Sequence, residues 1–227
     1  MPEPALRQEA VFQERPTEIV VRDALGLGLV PLALAGALGA LGWHAAGFAC
    51  LALAGFVAFF FRNPPRPVSG DERAVVAPAD GRVLEAGEVE LPDGRKGVRV
   101  GIFLSIFNVH VNRAPVAGRV VAISRGGSAF RAAFDRRAVA ENVHCTLALE
   151  TARGEKVDVT QITGWVARRI VCHPQVGEWL PRGARYGLIR FGSRTDVVLP
   201  AGTELRVRRG ESVRGGTDVI ARLPGEA

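Results

Sequence analysis

A chain of 227 residues has room for one domain of ordinary size and an appendage. Its three cysteines, Cys50, Cys145 and Cys172, are widely spaced, which excludes a disulfide framework and a metal-ligand cluster and fits a reducing compartment. The net charge of +6 is split: residues 1–23 carry 3 basic and 5 acidic side chains, whereas residues 62–227 carry 26 and 18. The basic part suits an anionic partner, but with one tyrosine and several Phe spent in an apolar segment it lacks the stacking surface that nucleic acid needs, which leaves an anionic membrane surface.

Residues 1–23 form a polar tail with Pro2, Pro4 and Pro16, flexible or lying on a surface. No secretory signal is expected there, because the apolar run starts late and no small-residue cleavage site follows it. From Ala24 to Phe61 there is no Asp, Glu, Lys or Arg, a run of 38 residues. One helix of that length would measure about 57 Å against roughly 30 Å of hydrocarbon, whereas two of about 19 residues fit. The break is expected near Gly42, Trp43 and His44, an aromatic and a polar ring suited to an interface. With Arg22 before the run and Arg62 and Arg66 after it, a membrane hairpin with both ends in the cytoplasm obeys the positive-inside rule. The other readings are a single tilted span, with the domain across the membrane from the N-terminus, and a helix pair buried in a soluble core.

Phe61 to Pro67 reads FRNPPRP. Three prolines in four residues end any helix and make a stiff extended link, after which residues 62–227 form the candidate catalytic domain. Beyond residue 74 the hydrophobic period drops to two, as at Val98, Val100 and Ile102 and at Val157, Val159 and Gln161, with frequent glycines between. That pattern predicts a mainly β domain of short antiparallel strands, a sandwich or half-barrel, behind an N-terminal helical hairpin. Leu91-Pro92-Asp93-Gly94 predicts a hairpin turn. The best helix candidate in the domain is Phe130 to Ala140. Ala77-Pro78-Ala79-Asp80-Gly81-Arg82-Val83 is echoed by Ala114-Pro115-Val116-Ala117-Gly118-Arg119-Val120. Val176 to Gly183 adds a third turn of the kind found in biotinyl and lipoyl half-barrels. These are repeated turn–strand units of one domain.

The stretch with the most chemistry is Arg190 to Pro200, RFGSRTDVVLP. A Gly-Ser pair before a strand is ordinarily a turn. It also meets the needs of self-cleavage. The Ser193 hydroxyl attacks the Gly192 carbonyl to form an ester, elimination releases the upstream chain, and the dehydroalanine left behind hydrolyses to a pyruvoyl group. Glycine on the acyl side has no Cβ to obstruct the attack. The nucleophile needs a base within reach. Asp80, His110 and Ser193 have the residue types of a nucleophile, a base and a group that orients the base. His144 is a second candidate base, and Arg113 a candidate phosphate or carboxylate binder. Each has a plainer role open to it: a turn aspartate, half-buried strand histidines, a solvated charge. Cys172 and His173 are expected to be structural.

FFRNPPR, APADGRV, IFLSIFNVHVNRAP, QITGWVARRIVC, IRFGSRTDVVLP and GGTDVIA follow one another from about residue 59 to 221. In that order they resemble the phosphatidylserine decarboxylase proenzymes of the short bacterial and archaeal class. The resemblance implies cleavage between Gly192 and Ser193, giving a β chain of 1–192 and an α chain of 193–227 that stay together as a heterodimer. It implies a pyruvoyl cofactor made from Ser193 and catalytic roles for Asp80 and His110. Longer members carry two histidines where this chain has His110 followed by Asn112 and Arg113, so Arg113 and His144 both stand as auxiliary candidates. It further implies phosphatidylserine in the membrane as substrate, an inner-membrane location with the domain on the cytoplasmic side, and room for a homo-oligomer. Two rivals remain. A membrane-anchored biotinyl/lipoyl-like adaptor would display a lysine on a tight hairpin, and Lys96 and Lys156 lack the usual neighbours. A serine hydrolase would carry the G-x-S-x-G elbow, which is absent.

Overall fold

The computed structural model describes residues 25–91, 94–135, 137–165, 169–190 and 193–225. The polar tail, Pro92, Asp93, Arg136, Phe191 and Gly192 lie outside the described residues. The charge-free run folds as two helices, α1 (Leu25–Ala40) and α2 (His44–Phe60), which pack against each other. The chain reverses at Leu41–Trp43, where the sequence places the break, and Gly42 turns with φ +80°, a conformation that favours glycine. Close approach is possible because small residues face each other: a Cβ on Gly47 would sit 3.2 Å from the Ala35 carbonyl oxygen. The helices hold 16 and 17 residues, shorter than the two of about 19 expected. Among the described residues no helix is long and apolar enough to cross a membrane.

The rest is mainly β. The strands are β1 (Ala74–Val76), β2 (Gly81–Glu90), β3 (Lys96–Leu104), β4 (Val111–Arg113) and β5 (Gly118–Gly126). After a short helix α3 (Ala138–Glu141) come β6 (His144–Glu150), β7 (Lys156–Thr163), β8 (Arg169–Cys172), β9 (Trp179–Leu180) and β10 (Arg185–Arg190). β11 (Ser193–Pro200), β12 (Glu204–Leu205), β13 (Ser212–Val213) and β14 (Val219–Arg222) complete the domain. The main sheet runs β13-β2-β3-β11-β7-β6-β5-β9 and curls as a half-barrel; small sheets β4-β10-β8 and β1-β14-β12 accompany it. The expected alternation is present: Val98, Val100 and Ile102, and Val157 and Val159, all point into one core with Leu147, Tyr186 and Val197. The β2–β3 hairpin closes as the Leu91–Gly94 signal predicts, with the Leu91 N–H donating to the Arg95 carbonyl and Gly94 at φ +79°.

The two echoed segments face each other. The Arg113 N–H donates to the Pro78 carbonyl and the Val76 N–H to the Pro115 carbonyl, 2.8 and 2.9 Å. Each unit ends on a glycine that starts a long strand. A Cβ on Gly81 would lie 2.1 Å from the Phe103 carbonyl oxygen, and one on Gly118 2.8 Å from that of Glu150. Glycine therefore lets a neighbouring strand close in at both places.

The helix expected over Phe130–Ala140 is absent apart from α3 at its end. The Asn142 side chain accepts from the Arg131 N–H and donates to the Arg131 carbonyl, 2.8 and 2.9 Å. That pair of bonds holds the segment extended beside Asn142, and only its last residues close a helical turn.

The main sheet breaks at one corner. Neighbours β3, β11 and β7 continue, in the same order, as neighbours β4, β10 and β8 of a small sheet. The ends of β3, β11 and β7 at Leu104, Ser193 and Thr163 therefore lie side by side, and the connection 105–110 leaves from the same corner. The base of α2 docks on that small sheet, where Val57, Phe60 and Phe61 pack with Val109, Val111 and Leu188.

Candidate active site

Ser193 is the first residue of β11 and sits at the corner. It pairs with Leu104 on β3 and Thr163 on β7, so the strand that begins at the Gly192–Ser193 bond is held on both edges. The Ser193 side chain shares the core face with Thr195, Val197 and Leu199, the alternate positions of the strand. It is fully buried, and its Oγ has no hydrogen-bond partner among the described residues. A buried hydroxyl without a partner is uncommon and costs on the order of 1–3 kcal/mol.

His110 reaches the same corner from β4. Its carbonyl accepts from the Ile189 N–H at 3.3 Å, and Ile189 lies on β10, the strand that leads into residue 193. The imidazole is 1% exposed and stacks on Phe60 of α2, with ring centroids 3.9 Å apart. Nδ1 lies 3.0 Å from the Asn108 carbonyl oxygen. A carbonyl can only accept, so Nδ1 carries the proton and Nε2 holds a lone pair. Nε2, like Ser193 Oγ, is buried without a partner among the described residues. Burial pushes the imidazole pKa down to about 4; the Asn108 bond opposes this and the Arg62 charge adds to it. The ring is thus neutral at pH 7, with its basic nitrogen unengaged.

Asp80 lies in the turn before β2, and its carboxylate is fully engaged. Oδ2 accepts from Arg66 Nη2 and Oδ1 from the Gly215 N–H, both at 2.7 Å. The group that orients His110 is accordingly the Asn108 carbonyl, and Asp80 organises the adjoining cavity of about 560 Å³. That cavity is lined by Asp80, Arg82, Ser105, Asn108 and Arg214, among others. Ser105 and Asn108 belong to the His110 connection, which is knotted by Ser105 Oγ donating to Asn108 Oδ1 at 2.7 Å.

Arg113 is buried and pinned. Its guanidinium donates to Gly183 O (3.0 Å), Asn63 Oδ1 (2.6 Å) and Pro64 O (3.2 Å), which fastens the proline-rich link to the domain. His144 opens β6 opposite Ile162, in the same cross-strand row as Arg194. Ser193 occupies the next row, so His144 and Ser193 lie on opposite faces of the sheet. Ser193 heads β11 and His110 lies on the β3–β4 connection next to it in the sheet order, Asp80 lines a cavity that this connection shares through Ser105 and Asn108, and His144 lies on the opposite face from Ser193.

Two partners of His110 carry no signal of their own in the sequence. Phe60 was read only as part of an apolar run, and Asn108 only as part of a motif. Arg194 and Asp196 were also missed, although their spacing of two puts them on one face of a strand. Arg194 donates to Asp196 through Nε at 2.5 Å and Nη2 at 2.9 Å, and to Glu85 at 2.9 Å. Arg194 and Asp196 are both 3% exposed. Burial pushes the Asp196 carboxyl up against the pull of the Arg194 fork. Gly101 makes room for the guanidinium, since a Cβ there would lie 2.5 Å from Arg194 Nη2.

A family model for phosphatidylserine decarboxylase matches residues 53–221, which spans both the base of α2 and the corner. The phosphatidylserine decarboxylase proenzyme of Geotalea uraniireducens is 48% identical over 188 residues, 82% of this chain and 88% of its own length. That of Geobacter sulfurreducens is 49% identical over 193 residues, with the same coverage. That of Symbiobacterium thermophilum is 48% identical over 182 residues, 79% of this chain and 85% of its own. The class these matches define is that of a decarboxylase, a carboxy-lyase. The chain belongs to the phosphatidylserine decarboxylase family.

Proposed function

We propose that the chain is a proenzyme that cuts itself between Gly192 and Ser193, and that a pyruvoyl group formed at residue 193 serves the decarboxylation of phosphatidylserine to phosphatidylethanolamine. The observation that carries this reading is the Ser193 hydroxyl, wholly buried and unpartnered at the start of a strand held on both edges. In the first step Ser193 Oγ adds to the Gly192 carbonyl carbon and its proton passes to His110 Nε2. The C–N bond breaks as the nitrogen takes that proton back, leaving an ester. Loss of the Cα proton of residue 193 expels the Gly192 carboxylate. The dehydroalanine takes up water and releases ammonia to leave the ketone. A neutral imidazole with its lone pair directed away from Asn108 suits the first transfer.

The residues present fit such a group: the atom that must react has no competing partner, and a proton carrier opens on the same corner. When bound, a pyruvoyl ketone supplies a sink for the electron pair left as carbon dioxide departs. Arg82 and Arg214 line the cavity beside Asp80 and would hold the phosphate and carboxylate of the head group, Arg214 exchanging its bond to Asp218 for one of them. His110 would hold and return the proton that replaces the carboxylate. The stacked Phe60 excludes water from the ring.

The charge-free helical pair would enter the bilayer and return, with both ends on the cytoplasmic face of the inner membrane. At about 24–26 Å each, the helices are deep enough to reach well into a hydrocarbon layer of roughly 30 Å without crossing it. The mature protein would be a heterodimer of its own two fragments, β11 staying bonded between β3 and β7.

Intact mass of the purified full chain tests this. Two fragments are expected, the smaller starting at residue 193 with no free amino group, and Ser193→Ala is expected to stay uncut. A wild-type chain of full mass overturns the reading.

A further inference from the structure

Apolar side chains outside the helical pair also stand out in solvent at the corner. Phe107 is 67% exposed and Ile106 43%, both on the β3–β4 connection. Trp165, on the β7–β8 connection, is 76% exposed. Phe107 and Trp165 lie 58 residues apart in the chain. Large exposed aromatics on two connections that leave the strands flanking Ser193 are the composition of an interface with a partner.

The structure ties these tips to the helical pair. Arg62, just past α2, donates to the Phe107 carbonyl oxygen and to the Phe59 carbonyl oxygen, both at 2.8 Å, and lies 3.9 Å over the Phe59 ring. The Phe107 tip is thus stapled to the base of α2, and the apolar surface of the hairpin continues onto the loop. The charges agree. Residues 24–70, 94–134, 159–177 and 179–195 contain no Asp or Glu, and together they supply the hairpin, the link and the connections 105–110, 164–168 and 191–192. Arg169 stands exposed four residues after Trp165. Aromatic rings beside arginines, with no carboxylate among them, match the head-group layer of an anionic bilayer.

We infer that the corner itself docks on the membrane: Phe107 with Ile106, and Trp165, enter the head-group layer of an anionic bilayer as a second anchor, separate from the hairpin, and fix the depth at which Ser193 meets its substrate. This rests on the reading of the protein as lipid-acting. The hairpin, docked through the base of α2, supplies one membrane contact. Two further contacts, on different loops, define a plane and hold the cavity beside Asp80 at the level of lipid head groups.

Quenching in vesicles tests the anchor without requiring activity. The full chain carrying Trp43→Phe and Trp179→Phe keeps Trp165 as its sole tryptophan and is reconstituted into phosphatidylglycerol/phosphatidylcholine vesicles. Lipids brominated near the head group are expected to quench Trp165 at least twofold more than lipids brominated near the chain end. Absence of quenching by either lipid overturns the inference, as does Trp165 protected only by a second copy of the chain. A second measurement uses Phe107→Ser with Trp165→Ser. Turnover of phosphatidylserine in vesicles is expected to fall at least tenfold, while turnover of a short-chain, water-soluble phosphatidylserine stays within twofold. Equal losses on both substrates overturn the inference. A wild-type chain that fails to cut itself but shows the quenching would sink the proposed reaction and leave the docking surface standing.

Discussion

The two faces of β11 treat polar groups in opposite ways. On the outer face, Arg194 and Asp196 are buried yet saturated, two bonds to each other and one from Arg194 to Glu85. On the core face, Thr195 accepts from Asn112, which in turn accepts from Gln161, but Ser193 Oγ, Gln161 Oε1 and the Tyr186 hydroxyl have no partner. His110 Nε2 at the corner has none either. A buried group without a partner keeps its lone pair or proton available, and a saturated one keeps its place. The strand thus holds itself in register by one face and leaves its reactive atom uncommitted on the other.

Removing the uncommitted base gives the largest effect. His110→Gln roughly keeps the volume but has no basic nitrogen. Self-cleavage is expected to slow on the order of 10²–10⁴-fold, followed on denaturing gels after synthesis, with the circular dichroism spectrum unchanged. Cleavage at the wild-type rate would move the base elsewhere and leave His110 a packing residue against Phe60.

Breaking the saturated face comes next. Asp196→Ala leaves the Arg194 guanidinium buried with only Glu85, and a loss of about 3–5 kcal/mol in urea unfolding is expected. The double variant Arg194→Met with Asp196→Leu should regain most of that, because a buried pair replaced by apolar volume is often neutral. If the double variant is stable yet cuts slowly, the pair places residue 193; if it cuts normally, the pair only holds the sheet.

Acid probes both faces at once, and the sign follows from His110. Its folded pKa of about 4 lies below the ordinary 6.5, so the unfolded chain binds the extra proton first. Stability is therefore full above about pH 6.5, falls as pH drops toward 4, and loses about 3 kcal/mol over that window. His110→Gln should flatten the profile there, measured by urea unfolding on Ser193→Ala so that cleavage does not intervene.

How far all this could be read in advance depends on the distance over which each feature is decided. The helical pair and its break follow from local composition, from absent charges and from Gly42. The position of Ser193 at the head of a strand is legible because a run of alternating residues follows it. The hairpin at Leu91–Gly94 follows from turn chemistry. The segment 130–140 was misread because its shape is set by Asn142, a residue beyond the window that suggested a helix. Asp80 looked like a partner for His110 because residue types alone suggest a relay, but its actual partners come from the link, at Arg66, and from Gly215, 135 positions away. The exchange of β3, β11 and β7 for β4, β10 and β8 is a property of pairing, and no single stretch encodes it.

The smallest effect separates unpartnered groups that serve chemistry from those that do not. Tyr186 is wholly buried on β10, and its hydroxyl has no partner, as with Ser193. Its surroundings differ, however: it lies within the main core beside Cys172, where burial pushes its own pKa up, and away from the α2 base that covers His110. Tyr186→Phe removes an unsatisfied group at nearly constant shape. A gain of about 1 kcal/mol in urea unfolding is expected, with cleavage within twofold of wild type. Should cleavage fall while stability rises, the hydroxyl belongs to the reaction, and the uncommitted set on the core face reaches deeper than Ser193 and His110. Should stability fall instead, the hydroxyl has a partner in solution, and unpaired polar atoms on that face cease to mark the reactive corner.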